Sequence, residues 1–215
     1  MKPYYQHAGI TIYHGDCREV MSLGFSADAC ISDPPYGIST PTDYASASRG
    51  PRDFPPVYGD STPFNPWPWV SMKRCVLFGA NHYAPKLPPS PNWIVWDKRC
   101  GVATSDQADC ELAWVKGDGC ARIVRHYWNG FGRDSEIGIP RLHPTQKPVA
   151  LMEWVIGRYC EPQDVILDPY MGSGTTLIAA KKCGHEAIGI EIEEKYCEIA
   201  AKRLSQEVFD FREVK

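Results

Sequence analysis

Residues 164–191 read "DVILDPYMGSGTTLIAAKKCGHEAIGIE", and this stretch decides the fold. The short apolar run in 164–168 has the length and bounds of a buried strand. "PYMGSG" is a tight glycine turn. Residues 175–183 have the composition of a helix, and Gly184 is its natural C-terminal stop. Residues 186–191 form the next strand. Residues 193–204 are an amphipathic helix, with Tyr196, Ile199, Ala200 and Leu204 at helical spacing. Strand, turn, helix, strand, helix is a βαβα unit, which implies a parallel sheet covered by helices.

The turn carries its own chemistry. Gly172 and Gly174 lack a Cβ, so a ligand can approach the backbone. A helix opening at Thr175 offers free N–H groups and the positive end of its dipole. No Lys follows the second glycine, which argues against a Walker phosphate loop, and the third glycine of a dinucleotide fingerprint is missing. Glu191 stands about 20 residues beyond the turn, at the tip of the next strand, where an acid takes the ribose hydroxyls of a bound nucleoside. The glycines alone also suit a purely structural βα turn. With the strand context and Glu191 they point to a nucleoside-containing cofactor.

Upstream, residues 10–14 alternate as a short strand, and 17–24 have room for one helical turn or two. Residues 27–32 are a strand that runs into "DPPY", Asp33 to Tyr36. A surface turn has this composition, and so does a rigid clamp for a flat polar substrate. Residues 38–68 are rich in Ser, Thr, Pro and Gly with no apolar period, which makes a long loop. Segments 75–80, 92–98 and 110–117 look like buried strands. Residues 118–142 read as irregular and carry Arg122, Arg125, Arg133 and Arg141.

With 215 residues, 43% hydrophobic and 23% charged, the chain has the size and balance of one soluble domain with its own core, spanning 1–215. No apolar run reaches the length of a membrane span, so no membrane partner is expected. The nine cysteines include no CxxC pair; they read as reduced, mostly buried thiols in a cytoplasmic protein, with no metal site. The net charge is −3, but from Lys116 to Lys147 six Lys/Arg face three Asp/Glu, leaving −6 on the rest. A basic segment on an acidic body suits either a DNA-facing lobe or a solvated loop.

Three motifs in this order resemble one family. "DPPY" (33–36), "HPTQKP" (143–148) and "DPYMGSGTT" (168–176), with "HGDC" (14–17) upstream, are similar to the S-adenosylmethionine-dependent DNA amino-methyltransferases of the permuted β class. The resemblance spans roughly residues 14 to 204. It implies a circularly permuted Rossmann-like α/β fold, a mostly parallel twisted sheet with helices on both faces. It also implies that Asp168, Tyr170, Gly172, Ser173, Gly174 and Thr175 line the methionine end of the cofactor and that Glu191 holds its ribose. Asp16, with Cys17 beside it in "HGDC", would meet the cofactor adenine, and Lys147 the cofactor carboxylate.

The resemblance gives "DPPY" a role. The exocyclic nitrogen of adenine or cytosine is a weak nucleophile because its lone pair is delocalised into the ring. Acceptors on both N–H groups favour a pyramidal nitrogen with that pair freed. Asp33 supplies a carboxylate and Pro34 a carbonyl, and the Asp-Pro-Pro backbone is held extended by its prolines, Pro34 and Pro35. Tyr36 would stack on the base, which must first leave the duplex. No metal and no covalent enzyme intermediate is required.

Larger members of the family have a substantial recognition region. Here loops 38–66 and 118–142 are the reduced DNA-recognition segments, with Arg122, Arg125, Arg133 and Arg141 as contacts to double-stranded DNA. Trp128 is either a stacking group or a core residue. Asp in "DPPY" favours adenine N6 over cytosine N4, a family tendency. A non-catalytic DNA-binding module is the reading from another class. A restriction–modification system and a solitary, phage-like enzyme are both open, and a homodimer is among the expectations.

Overall fold

The computed structural model describes residues 1–42, 54–102, 108–128 and 132–206. Among them are nine strands in a single sheet. In chain order these are β1 (Tyr5–His7), β2 (Ile10–His14), β3 (Ala29–Ser32), β4 (Arg74–Phe78), β5 (Trp93–Asp97), β6 (Cys110–Val115), β7 (Arg122–Arg125), β8 (Ile166–Asp168) and β9 (Ala187–Glu191). Their spatial order is β1-β2-β9-β8-β3-β4-β6-β5-β7. The five strands β2-β9-β8-β3-β4 are mutually parallel. Antiparallel β6 then pairs with both β4 and β5. This is the expected Rossmann-like arrangement, with the "DPPY" strand β3 hydrogen-bonded directly to the glycine-turn strand β8.

The central strands are apolar on both faces, as strands covered by helices must be. Along β4, Val76 and Phe78 join one core cluster, while Cys75 and Leu77 join the other. Ile166 and Leu167 of β8 divide the same way. The first cluster takes in α3 (Val149–Tyr159), α4 (Thr175–Lys182) and α5 (Glu194–Ser205). The second takes in α1 (Cys17–Met21) and the four-residue α2 (Trp67–Val70). Helical residues therefore contribute to the cores on both faces.

The structure corrects one expectation and adds two elements that the sequence reading did not include. Segment 118–142 is not wholly irregular: β7 pairs in parallel with β5, in register from Ile94↔Arg122 to Asp97↔Arg125. It is an edge strand with three of its four residues exposed, so its sequence lacks the apolar alternation of a half-buried strand. The strand β1 is likewise a mostly exposed three-residue edge. The helix α3 follows Pro148 and buries Leu151, Met152, Val155 and Ile156, spaced as one helical face. Part of the 38–66 loop, residues 43–53, lies outside the described residues. Among the described residues no helix is long and apolar enough to cross a membrane.

Candidate active site

Five adjacent parallel strands end at one edge of the sheet, and each delivers part of the site there. In spatial order β2 leads into Gly15 and Asp16, β9 ends on Glu191, and β8 ends on Asp168. Then β3 leads into Asp33, and β4 leads into Gly79. Ligands of open α/β sheets gather at this edge, because loops from adjacent strands diverge there and leave a crevice.

At the cofactor side, the Glu191 carboxylate accepts from the N–H of Gly172 (3.0 Å) and of Glu193 (2.8 Å). Burial pushes its pKa up to about 7 against the pull of those N–H groups. The N–H of Gly15 donates to the Glu191 carbonyl at 2.9 Å, joining the "HGDC" turn to the same strand end. Asp16 is the N-cap of α1 and accepts from the Arg18 N–H at 2.9 Å. The Arg18 side chain lies on the same carboxylate and holds it below its ordinary value. Cys17 is buried next to it, and burial pushes its thiol pKa up.

The glycines have separate reasons. Gly172 and Gly174 have φ of +50° and +80°, in the left-handed region. A Cβ on Gly174 would come within 2.8 Å of the Ala200 Cβ on α5, so this glycine lets the helix pack. One on Gly172 would touch the His143 ring at 3.3 Å. That imidazole lies edge-on to Tyr196, and burial together with Lys147 and Lys195 drives its pKa down to about 3. His143 is therefore neutral and gives no proton at physiological pH.

One cavity connects the two motifs. It is lined on one side by Asp33 and Lys147, and on the other by Asp168, Tyr170, Gly172, Ser173 and Thr175. Ser32 Oγ donates to Asp168 Oδ1 at 2.6 Å, tying the two strand ends together below it. Burial lifts Asp168 to about 6, although Ser32 and the Tyr170 N–H work against the rise.

At the target side, Tyr36 donates to Asp33 Oδ1, and its ring lies parallel to that of His82 with centroids 5.1 Å apart. Lys147 Nζ lies 2.5 Å from Asp33 Oδ2 and 3.1 Å from Glu111 Oε2. Thus Lys147 lines the shared cavity, but its ammonium is committed to Asp33 and Glu111 on the target side. Burial raises the Asp33 carboxyl and Glu111 adds to the rise, while Lys147 and Tyr36 oppose it. Glu111 itself is drawn down to about 2, because Lys147 and Lys98 outweigh its burial.

Several supports had no local signal in the sequence. The Asp60 carboxylate accepts from the N–H groups of Gly37 (2.9 Å) and Thr40 (2.7 Å), so it folds the chain just past "DPPY". Burial opposes its ionisation, but these donors prevail and hold its pKa below the ordinary value. Glu136 accepts from Val149 N–H (3.0 Å) and Gln146 Nε2 (3.3 Å) and so fixes the "HPTQKP" segment. Gly79, at φ +67°, makes room for the clamp, since a Cβ there would lie 2.0 Å from the Tyr36 ring. Gly79→Ala is expected to displace Tyr36 and lower the single-turnover methylation rate about 100-fold, the scale of an ångström-sized misplacement of a reacting partner. Calorimetry on the same variant should return unchanged cofactor affinity; a normal turnover rate would remove Tyr36 from the site.

The four arginines are dispersed. Arg125 ends β7 at the site edge and pairs with Asp97 at 3.5 Å, whereas Arg122 begins that strand at the opposite end. The Arg133 guanidinium lies 4.5 Å over the Trp128 ring and donates to the Ile139 carbonyl. Arg141 donates to the Pro144 carbonyl at 3.2 Å. Trp128 is buried and belongs to the core.

Comparison with known proteins finds relatives over nearly the whole chain. Residues 92–202 match the N6/N4 methyltransferase family model, described as DNA methylase. The chain is 27% identical to the type II methyltransferase M2.LlaDCHI of Lactococcus lactis subsp. cremoris, over 95% of this chain and 93% of that protein. It is 28% identical to M2.DpnII of Streptococcus pneumoniae, over 96% and 93% respectively. Among solved structures, the M1.HpyAVI–SAM complex superposes with a TM-score of 0.59 at 25% identity, over 92% of this chain and all of that one. The cytosine-N4-specific PvuII DNA methyltransferase shares the fold, with a TM-score of 0.63 at 15% identity over 96% of this chain and 90% of that one.

Proposed function

The chain belongs to this DNA methylase family, and we propose that it transfers a methyl group from S-adenosylmethionine to the N6 amino group of adenine in double-stranded DNA. The observation that carries the reading is the single cavity between Asp33 and the glycine turn, because donor and acceptor must share one space for direct transfer. The residues present fit the cofactor. Gly172 and Ser173 line the cavity at a helix N-terminus, Glu191 offers a carboxylate one strand away, and Asp16 and Cys17 border the same strand end. When bound, S-adenosylmethionine supplies an electrophilic methyl group on a sulfonium.

The protein's own groups do the rest. Asp33 and the Pro34 carbonyl accept the two N–H groups of the target amine, freeing its lone pair. Tyr36 stacks on the extruded base. Asp33 is also the base placed to take the proton that the methylated nitrogen must shed. Arg125, Arg133 and Arg141 lie in or beside the segment that follows β7, which we assign to the DNA backbone together with the 38–66 loop. Arg122, at the far end of β7, contributes less.

Adenine is preferred over cytosine because position 33 is Asp, the residue that the resembling family favours for adenine N6. Nucleoside mass spectrometry tests the assignment directly. Purified protein, S-adenosylmethionine and unmethylated duplex of mixed sequence should yield N6-methyl-deoxyadenosine. N4-methyl-deoxycytidine instead would keep the mechanism and overturn the base.

A further inference from the structure

An acid in the middle of a sheet has to be accounted for. Glu111 lies on β6 in "CELAWV", a run that is otherwise apolar apart from its leading Cys110. Its Oε2 is shielded from solvent and lies 3.1 Å from Lys147 Nζ, and its Oε1 accepts from Lys98 Nζ at 3.0 Å. Lys147 in turn is 2.5 Å from Asp33 Oδ2. The four side chains Lys98, Glu111, Lys147 and Asp33 form one alternating row of charges with no net charge. It runs from the partly exposed Lys98 to the cavity. A row of this kind is a weak source of stability, since each ion gives up hydration to enter it. Its evident use is geometric: each member fixes the next.

We propose that Glu111, backed by Lys98, is a positioning residue for methyl transfer, anchoring the Lys147 ammonium so that it sets the orientation and charge of Asp33. The inference rests on the reading of Asp33 as acceptor of the target amine. Without Glu111, Lys147 would be held by Asp33 alone, and nothing would fix the side from which its ammonium approaches Asp33 Oδ2. Without Lys147, Asp33 would face the negative charge of Glu111 with only Tyr36 beside it. The other titratable groups facing Asp33 are Tyr83, after β4, and Asp168 on β8. Tyr83 donates to the Phe78 carbonyl and Asp168 accepts from Ser32, and neither brings a positive charge that could replace Lys147.

The two substitutions therefore have opposite signatures. Glu111 raises the Asp33 carboxyl and Lys147 lowers it. In Glu111→Gln the acid limb of the single-turnover pH profile should move down by about one pH unit, with a slower plateau, the scale of a neighbouring charge. In Lys147→Met the limb should move up by about as much, and Lys147→Arg should restore much of it. If Glu111→Gln does not fold, Lys98→Met carries the test with the upward sign. Asp33→Ala run beside them separates the two claims. An active Asp33→Ala variant overturns the reading of Asp33. An inactive one, with Glu111→Gln and Lys147→Met both leaving the limb in place, overturns the positioning role alone.

Discussion

Asp33→Ala is expected to lower the single-turnover rate of methyl transfer by roughly 10³-fold while leaving S-adenosylmethionine affinity within about twofold, the pattern of a group that acts only on the reacting centre. The expectation follows from where the side chain is tied. Asp33 contacts Lys147 and Tyr36, and none of its hydrogen bonds reaches Gly172, Glu191 or Asp16. Removing it takes one of two acceptors from the target amine and leaves the cofactor cradle intact. Asp33→Asn retains a carbonyl oxygen and should fall between Ala and wild type. The variant also leaves Lys147 paired with Glu111 alone, so melting must be measured to separate lost chemistry from lost folding. A folded Asp33→Ala protein with near-normal turnover would rule out the two-acceptor mechanism.

The second large effect lies at the other end of the cavity. Glu191→Ala should weaken S-adenosylmethionine binding about 100-fold, since two charge-assisted hydrogen bonds are worth about 1.5–3 kcal/mol each before water replaces them. The wild-type protein should also bind the cofactor more weakly as pH falls from 8 to 6. Burial places the Glu191 pKa at about 7, and only the carboxylate accepts two ribose hydroxyls. The stability of the cofactor-free protein has the opposite trend. The folded pKa lies above the ordinary 4.5, so the folded state holds the proton longer. This group's contribution to stability is thus fully present below about 4.5 and is lost as pH rises through about 7. Titration calorimetry at pH 6, 7 and 8, with Glu191→Ala alongside, reads the two affinity effects, and denaturant melts of the cofactor-free protein between about pH 4.5 and 8 read the stability trend. A pH-independent affinity in the wild type would mean that Glu191 does not touch the ribose.

What the sequence determined by itself is local. The strand, glycine turn and helix at 164–182 and the "DPPY" turn are written in neighbouring residues. Glycine alone tolerates the left-handed turn at 172 and 174, and proline holds its own φ and the residue before it extended. The order of the motifs carried the permutation, and the apolar runs of β4, β5 and β6 carried their burial. Elements with weak local patterns were not legible: β7 and β1 are exposed edges whose strand character comes from their neighbours.

Only the tertiary structure decided what surrounds Asp33. Lys147 reaches it across 114 positions of chain, and Glu111 reaches Lys147 because β6 folds back antiparallel beside β4. Gly79 supports Tyr36 for the same reason, since β3 and β4 lie side by side and end together. No propensity or spacing records such contacts. They exist only once the strands have chosen their neighbours, and a charge on one strand acts on another through distance in space, not along the chain.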